Sequence, residues 1–272
     1  MKFVKSTMAL AVAAVALGSA SVASAAEIVT DWDYEVSALW SSFNTTAGPG
    51  VVSDPLKITW GNNPQTGLTS SLEIVDSPVT GSIETYIGNG FMIPDASFQP
   101  AVTLQHNNFP ILPPLLTDAV LEATLMLTPT APAAVAGPGF PLPSISYNIG
   151  FAETPNFGTC ASESGDNPCN DIFVQLSGVL NQSFDYMDQT YFVNILPAEG
   201  ASLNVLTPAE CAAASQPAGC IGFVTPEGEE TPLPFRFAIS TRPLGEAPEP
   251  ALLALMGIGF AGAAAARRRK KA

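Results

Sequence analysis

Residues 121–151 read LEATLMLTPTAPAAVAGPGFPLPSISYNIGF, and this stretch holds the pattern that decides the fold. Two short runs of apolar, β-branched and aromatic residues, LEATLMLT and SISYNIGF, flank a segment rich in proline, glycine and alanine. Runs of this length and composition, bounded by turn residues, favour strands over helices. Because a strand-like run resumes directly after the proline-rich segment, we interpret that segment as an extended loop and not as a linker between domains.

The same pattern recurs along most of the chain. The further runs are LKITW, SLEIV, SIETYI, AVTLQH, DIFVQL, YFVNIL and FRFAIS. They predict an all-β fold, a single β-sandwich-like domain of the jelly-roll type, because such domains often contain about 200 residues or more. One short helix is predicted at TPAECAAA, where Thr207 and Glu210 can form a capping box and Pro208 suits the first helical position.

The N-terminus has the organisation of a secretory signal peptide. Lys2 and Lys5 flank the start of an apolar stretch at residues 8–17, and Ala23 and Ala25 fit an A-x-A cleavage site. The alternative is an uncleaved membrane anchor, which is disfavoured because the apolar stretch is shorter than the roughly 20 residues that span a bilayer. We therefore expect a signal peptide at residues 1–25 and an exported, β-rich body at residues 26–244.

Charge is distributed very unevenly along the chain. Of its 10 basic residues, two lie at the start and five occupy positions 267–271, whereas the 24 acidic residues all lie between these ends. The body therefore keeps only Lys57, Arg236 and Arg242 as basic residues. A surface this acidic repels nucleic-acid phosphates at long range, which argues against nucleic acid as a partner.

The last segment, residues 245–272, combines a PEP tripeptide, an uncharged apolar stretch and a basic terminus. As a helix, residues 251–266 would span about 24 Å, slightly less than a bilayer core. The basic residues after it would stay on the cytoplasmic side, so the body would face away from the cytoplasm. The alternative is a buried helix rich in alanine and glycine with a solvated basic end.

The three parts of this segment have defining residues in a fixed order. They are Pro248, Glu249 and Pro250, then the apolar stretch, then the cluster that begins with Arg267, Arg268 and Arg269. Together they resemble the PEP-CTERM sorting signal of Gram-negative bacteria that make extracellular polysaccharide. The resemblance implies that an exosortase, a membrane-embedded enzyme similar to cysteine transpeptidases, removes the tail. It also implies an inner-membrane intermediate followed by delivery to the cell surface or the extracellular space.

The four cysteines form two pairs with identical spacing. In CASESGDNPC and CAAASQPAGC the cysteines are nine positions apart, and both segments contain residues that favour turns. Because an exported chain meets an oxidising compartment, the favoured interpretation is two local disulfides, Cys160–Cys169 and Cys211–Cys220. The two other connectivities stay open at this point, while the usual Cys-x2-4-Cys spacing of a zinc site is absent.

Five sequence segments of the body are notable for their residues and for the order in which they occur. They are ITWGNNPQTGLTSSLEI, LQHNNFPI, LMLTP, FAETPNFGTC and CNDIFVQL. In this order they resemble the THxN family of PEP-CTERM proteins. His106 and Asn108 match the histidine and the last asparagine of the naming motif, Asn107 lies between them, and Gln105 stands where the motif has threonine. The resemblance implies a shared architecture and no established reaction.

His106 is the only histidine, which limits the chemistry open to the body. One imidazole cannot build a multi-histidine metal site, and the sequence contains neither G-x-S-x-G nor H-E-x-x-H. We interpret LQHNNFPIL as an ordered loop, fastened by His106 and its neighbouring asparagines, in which Phe109 and Ile111 fill the core. The alternative for His106 is a catalytic base or a ligand-binding group.

The acidic segment SGDNPCNDIF offers four side chains with hard oxygen ligands. Asp166, Asn167, Asn170 and Asp171 suit calcium chemistry, although their spacing is not that of an EF-hand loop. Aspartate and asparagine also occur in turns for conformational reasons, and this is the interpretation that we favour. We therefore predict no cofactor and no bound metal, with calcium at these four residues as the alternative.

Three classes of function fit these observations. The favoured class is an exported structural or interaction protein of the cell surface, biofilm or extracellular matrix, with no enzymatic activity, whose partners are an exosortase and extracellular polysaccharide. The second is a carbohydrate-binding sandwich, which would expose Trp32, Trp40, Trp60 or Tyr86 as sugar platforms, whereas aromatic residues mostly serve burial. The third is a glycoside-cleaving enzyme, which needs two carboxylates about 5 to 9.5 Å apart.

Overall fold

The computed structural model describes residues 27–47, 51–88, 92–155, 159–163, 169–175, 180–198 and 204–245. These residues are mostly β-structure, which confirms the predicted all-β fold. The strands are β1 (Asp31–Thr45), β2 (Val52–Asp54), β3 (Lys57–Trp60), β4 (Ser70–Ile74), β5 (Val79–Tyr86), β6 (Gln99–Asn107), β7 (Leu116–Ala131), β8 (Phe140–Pro141), β9 (Ile145–Ala152), β10 (Asp171–Gln175), β11 (Gln182–Tyr186), β12 (Gln189–Pro197), β13 (Asn204–Val205), β14 (Ile221–Thr225) and β15 (Glu230–Ser240).

Helices are few and short in this part of the chain. A 3-10 helix occupies Asp95–Ser97, and the helix α1 covers Pro208–Ala213 at the predicted place. Thr207 Oγ1 accepts a hydrogen bond from the Glu210 amide, and the Glu210 carboxylate accepts one from the Thr207 amide. Neither helix is long and apolar enough to cross a membrane. The predicted signal peptide and sorting helix lie outside the described residues.

The strand-like runs of the sequence are all strands. LEATLMLT lies within β7, all of SISYNIGF except its first residue lies within β9, and the two strands pair directly. The proline-rich segment between them contributes β8, which pairs back onto β7. This segment is therefore a connection within one sheet, and it contains a short strand where the sequence predicted an extended loop.

The strands form two sheets that are joined at one edge. The first sheet has the order β13-β14-β10-β9-β7-β1-β5, and the second has the order β11-β12-β15-β6-β4-β3-β2. A short parallel pairing between the end of β15 and the end of β5 connects them. Every other pairing among the described strands is antiparallel, and two-residue turns join β2 to β3 and β11 to β12.

The inner faces of the two sheets pack against each other. The ring centroids of Trp60 on β3 and Phe151 on β9 are 5.3 Å apart, and those of Tyr34 on β1 and Phe237 on β15 are 4.8 Å apart. Along β1 buried residues alternate with more exposed ones, because successive side chains of a strand point to opposite faces. The result is two layers around a common core, and the jelly-roll connectivity stays a prediction.

The tryptophans are core residues and not exposed platforms. Trp32 and Trp60 have no exposed surface, and Trp40 is 7% exposed. The alternative in which these three side chains present a sugar-binding surface is therefore wrong, since a stacked sugar needs an accessible ring face. Tyr86 is half-buried.

Both predicted disulfides are present. Cys160 bonds Cys169 and Cys211 bonds Cys220, with Cα atoms 5.0 Å and 5.8 Å apart. The crossed connectivities are thereby excluded. Each bond closes one local loop beside the first sheet, the first directly before β10 and the second between α1 and β14.

Candidate functional site

Three carboxylates meet at one end of the first sheet because of the strand register. β10 pairs with β9 through Ile172 and Ala152, and it pairs with β14 through Asp171 and Thr225. Glu153 follows Ala152 directly, so it comes next to Asp171 at the start of β10. Glu227 lies two residues beyond Thr225, in the turn from β14 to β15. Because neighbouring strands are antiparallel, the C-terminal ends of β9 and β14 and the N-terminal end of β10 lie at the same end of the sheet.

We call Glu153, Asp171 and Glu227 the carboxylate cluster. One side-chain oxygen from each of them lies within 4.8 Å of the others. Asp171 has no exposed surface and Glu227 is 3% exposed, while Glu153 is partly buried. Asp171 Oδ1 accepts a hydrogen bond from the Thr154 amide at 2.9 Å, and Glu153 Oε2 accepts one from Trp60 Nε1 at 3.2 Å.

Burial makes ionisation of the cluster unfavourable. It raises the pKa of Glu227 to about 7. The pKa values of Glu153 and Asp171 lie well above the usual range of carboxyl groups, chiefly because of burial and further because of repulsion between neighbouring carboxylates. A group of this kind is stable only when protons or a cation neutralise it, since adjacent buried negative charges repel strongly.

His106 is placed beside the cluster by a strand and not by a loop. The prediction of a loop at LQHNNFPIL is wrong for its first part, because β6 continues to Asn107 and pairs with β4 and β15 on its two sides. Pairing on both sides outweighs the local turn preference of asparagine. The His106 ring is fully buried and lies 5.7 Å from the Trp60 ring, stacked at an interplanar angle of 7°.

The His106 imidazole links the two sheets as a neutral group. Its Nδ1 lies 2.9 Å from Thr225 Oγ1 on β14, and its ring also contacts Phe173 on β10 with a centroid distance of 4.9 Å. Burial lowers the pKa of His106 to about 3. A base with so low a pKa carries no proton at neutral pH and is a weak acceptor for proton transfer, so the surroundings favour a structural role.

Asn108 fastens the turn that carries Glu227. Its side chain is fully buried, and its Nδ2 donates to the carbonyl oxygen of Thr225 at 3.2 Å. Its backbone amide donates to the carbonyl oxygen of Glu229 at 3.0 Å, and its carbonyl oxygen accepts from the Gly228 amide at 2.9 Å. The motif residue thereby holds the β14–β15 turn against the end of β6.

The remaining residues of LQHNNFPIL are oriented differently. Asn107 Nδ2 donates to Ser71 Oγ on β4 at 2.9 Å. Ile111 is 4% exposed and lies in the core, and Phe109 is partly buried against it. These two apolar residues fill the core as predicted.

The four residues predicted as calcium ligands do not form one group in the structure. Asp166 and Asn167 lie outside the described residues. Asn170 is buried and its Nδ2 donates to Ser162 Oγ at 3.2 Å. Asp171 belongs to the carboxylate cluster, which the sequence analysis did not assemble because its other two members were not recognised.

The sequence contains a weak indication of the two members of the cluster that were not predicted, Glu153 and Glu227. Glu153 directly follows the run SISYNIGF and lies in the block FAETPNFGTC, so an acidic residue at a strand end was visible. Glu227 follows IGFVT, a run that became β14 and that the sequence analysis overlooked. Four of the five blocks that carried the family resemblance contribute residues at or beside the cluster, namely Trp60, His106, Asn108, Glu153, Thr154, Asn170 and Asp171.

Comparison with known proteins concerns the C-terminal segment. Residues 246–270 match the PEP-CTERM protein-sorting motif. This motif is recognised by exosortases and implies export to the cell envelope or surface. The residues predicted for sorting lie within the match and outside the described structure; they are Pro248, Glu249, Pro250, Arg267, Arg268 and Arg269. No curated protein matches the chain.

Proposed function

We propose that the chain is a structural or interaction protein of the cell surface or the extracellular matrix, associated with biofilm and exopolysaccharide and processed by an exosortase. The sorting motif at residues 246–270 carries the proposal. In it, residues 1–25 are a cleaved signal peptide, residues 26–244 are a THxN-family body of jelly-roll type, and residues 245–272 hold the chain in the inner membrane until processing.

The body has features that suit life outside the cytoplasm. Two local disulfides persist in oxidising compartments and reinforce the loops next to the first sheet. The chain carries a formal net charge of −14, and mutual repulsion of this kind keeps an exported protein soluble. These properties support a scaffold role and do not depend on a catalytic site.

The two competing functions receive less support from the geometry. Burial of Trp32, Trp40 and Trp60 removes three of the four aromatic platforms on which the carbohydrate-binding alternative relied, and the fourth, Tyr86, is half-buried. One oxygen from each residue of the carboxylate cluster lies within 4.8 Å of the others, which is near the lower end of the roughly 5 to 9.5 Å between the carboxyl groups of glycosidases, so burial is the deciding difference. Asp171 has no exposed surface, so a sugar ring cannot reach it in this conformation.

Processing of the tail tests the proposal. In a host that contains an exosortase, the wild-type chain should lose its tail, while a variant with Pro248→Ala, Glu249→Ala and Pro250→Ala should keep it and stay in the inner membrane. Glu230→Ala, an exposed glutamate outside the matched segment, is the control and should be processed normally. Intact-mass analysis of each fraction gives the result. Normal removal of the tail from the triple variant would contradict the proposal.

Polysaccharide as a partner needs a separate measurement. The purified chain should bind extracellular polysaccharide of the producing cell in a glycan-array or co-sedimentation assay. Binding that persists in the presence of a chelator would indicate a contact surface independent of any metal ion. Complete absence of binding would restrict the proposal to a structural role within the envelope.

A further inference from the structure

We propose that the carboxylate cluster of Glu153, Asp171 and Glu227 is a calcium site that closes one end of the two-layered body. Three carboxylate oxygens, one from each residue, converge to within 4.8 Å of one another. Carboxylate oxygens are the hard ligands that calcium prefers, and calcium accepts several of them in flexible geometry. This inference concerns the body and goes beyond the routing function proposed above.

A second observation points to a ligand at the same place. Asp171 Oδ2 and Glu153 Oε1 are buried and have no donor among the described residues while both groups are ionised, and the two carboxyl groups hydrogen-bond each other only when one of them holds a proton. The other oxygen of each group is held, by the Thr154 amide in one case and by Trp60 Nε1 in the other. Buried oxygens without a donor are rare and costly in folded proteins. Each of these two atoms is held in place because the other oxygen of its carboxylate is hydrogen-bonded. Together they form a preorganised set of acceptors for a cation.

Asn108 adds a third buried acceptor beside the cluster. Its Oδ1 has no hydrogen-bond partner among the described residues, although its Nδ2 is bonded to Thr225 and its backbone to the Glu227 turn. An amide oxygen is also a hard ligand. The motif asparagine therefore holds a further buried oxygen next to the turn that carries Glu227.

The described part of the chain supplies no basic side chain to neutralise the cluster. Lys57 pairs with Glu73, and Arg236 pairs with Asp95. Arg242 follows the end of β15, whereas Glu227 precedes its start, and the strand between them is roughly 35 Å long. The neutralising charge must come from protons or from a metal ion, and three acidic groups so close together favour a divalent ion.

The donor set selects calcium among divalent ions. Zinc prefers nitrogen and sulfur ligands, whereas the converging atoms of this cluster are all carboxylate oxygens, all four cysteines form disulfides, and the single histidine could offer one nitrogen at most. Magnesium keeps several waters in strict octahedral geometry, which a buried set of protein oxygens does not accommodate. Glu153 also lines a groove of about 500 Å³ together with Asp118, Asn148 and Gln216, so one member of the cluster borders solvent-accessible space.

Calcium binding to the full chain, purified after export and treated with EDTA, tests the site. Calcium chloride should restore about one bound ion per chain and raise the melting temperature with increasing concentration. Asp171→Asn and Glu227→Gln should each weaken calcium binding by on the order of tenfold or more, since ligand charge sets calcium affinity. Glu84→Gln, an exposed carboxylate on β5, is the matched control and should bind as the wild type does.

Terbium luminescence provides a readout that locates the ion. Terbium occupies calcium sites and emits when a nearby tryptophan is excited, and Trp60 contacts Glu153 directly. Trp60→Phe should therefore abolish most of the sensitised emission. Trp32→Phe should retain it, because Trp32 and the cluster lie near opposite ends of β7, roughly 35 Å apart. The wild-type titration alone remains informative if a carboxylate variant does not fold.

Four results would overturn the inference. The first is a wild-type chain that binds no calcium and keeps its melting temperature, which would mean that shared protons neutralise the cluster. The second is binding that survives in Asp171→Asn and Glu227→Gln but is lost in Asp166→Asn, which would place the ion in the preceding loop. The third is tighter binding of manganese or magnesium than of calcium, and the fourth is emission that persists in Trp60→Phe. None of these results would affect processing of the tail.

Discussion

Two buried tryptophans mark two regions of the core that differ in chemistry. Around Trp32, which we call the Trp32 region, the rings of Phe184 and Tyr191 lie 5.8 Å and 5.3 Å away, and the indole N–H donates to Thr85 Oγ1 at 2.8 Å. Thr85 in turn donates to the carbonyl oxygen of Val29 at 2.6 Å. This region is apolar, and each of these buried polar groups has a partner.

Around Trp60, the Trp60 region, burial is equally complete but the polar groups are not all paired. The same indole N–H donates here to Glu153, which belongs to a cluster of three carboxylates, and the ring stacks on His106. Buried oxygens and His106 Nε2 lack hydrogen-bond partners among the described residues. The buried polar groups of the Trp32 region are paired and stabilise the fold. The Trp60 region contains unpaired buried groups that destabilise the fold by themselves and that a ligand could satisfy.

Trp32→Ala should have the largest effect and should not depend on calcium. Removing a fully buried tryptophan leaves a large cavity between the sheets, which costs about 3 to 5 kcal/mol in the free energy of unfolding. Urea unfolding of the two chains with and without calcium measures this loss. If calcium restored the unfolding free energy of Trp32→Ala to the wild-type value, the two regions would be coupled and the comparison would fail.

The two disulfides should have similar effects on stability and different effects on the Trp60 region. Replacing either pair of cysteines with alanine should cost about 2 to 3 kcal/mol, because each bond closes a short loop of similar length. Cys169 of the first pair lies two residues before Asp171, so only the loss of this pair should also weaken calcium binding. Calcium titrations of both double variants separate the two cases, and equal calcium affinity in them would argue against the difference.

His106 should make the Trp60 region sensitive to acid. Its pKa falls from the usual 6.5 to about 3 on folding, so the neutral form stabilises the fold above pH 6.5 and this contribution is lost as pH falls towards 3. His106→Gln does not titrate, and the carboxylate cluster is the same in both chains. The advantage of the wild type over this variant should shrink by up to about 1.4 kcal/mol per pH unit across that window. A constant difference in unfolding free energy from about pH 6 to about pH 4 would contradict this expectation.

Asn107→Ala should have the smallest effect. The side chain donates a hydrogen bond to Ser71 Oγ and accepts one from Gln105 Nε2 at a partly buried position, so the loss of both should cost about 1 to 2 kcal/mol. Because Asn107 and the cluster have no shared partner among the described contacts, calcium affinity should be unchanged. Thermal melts and calcium titrations test whether the middle residue of the motif is separate from the site.

The strand β1 was not predicted from the sequence, although it has a pairing partner on each side. It pairs with β5 and β7 near the middle of the first sheet, yet it was not among the predicted strands. Its alternation was visible, since Trp32, Tyr34 and Val36 point into the core and the acidic residues between them face solvent. The aromatic residues were considered as sugar platforms, and only packing against the second sheet shows on which side they lie.

By itself the sequence determined the features that depend on local patterns. Strand-like runs, the capping box of α1, the pairing of cysteines nine positions apart and the sorting motif each involve residues close together in the chain. Such features follow from side-chain alternation, capping chemistry and short-loop closure, all of which a linear pattern expresses.

Only the tertiary structure decided the carboxylate cluster. Glu153, Asp171 and Glu227 are distant in sequence and become neighbours through the register of β10 with β9 and β14. A slip of one residue would turn Asp171 to the opposite face of the sheet and dissolve the cluster. Register depends on how both faces pack, including the bond from His106 to Thr225 between the sheets, so no local pattern could reveal the site.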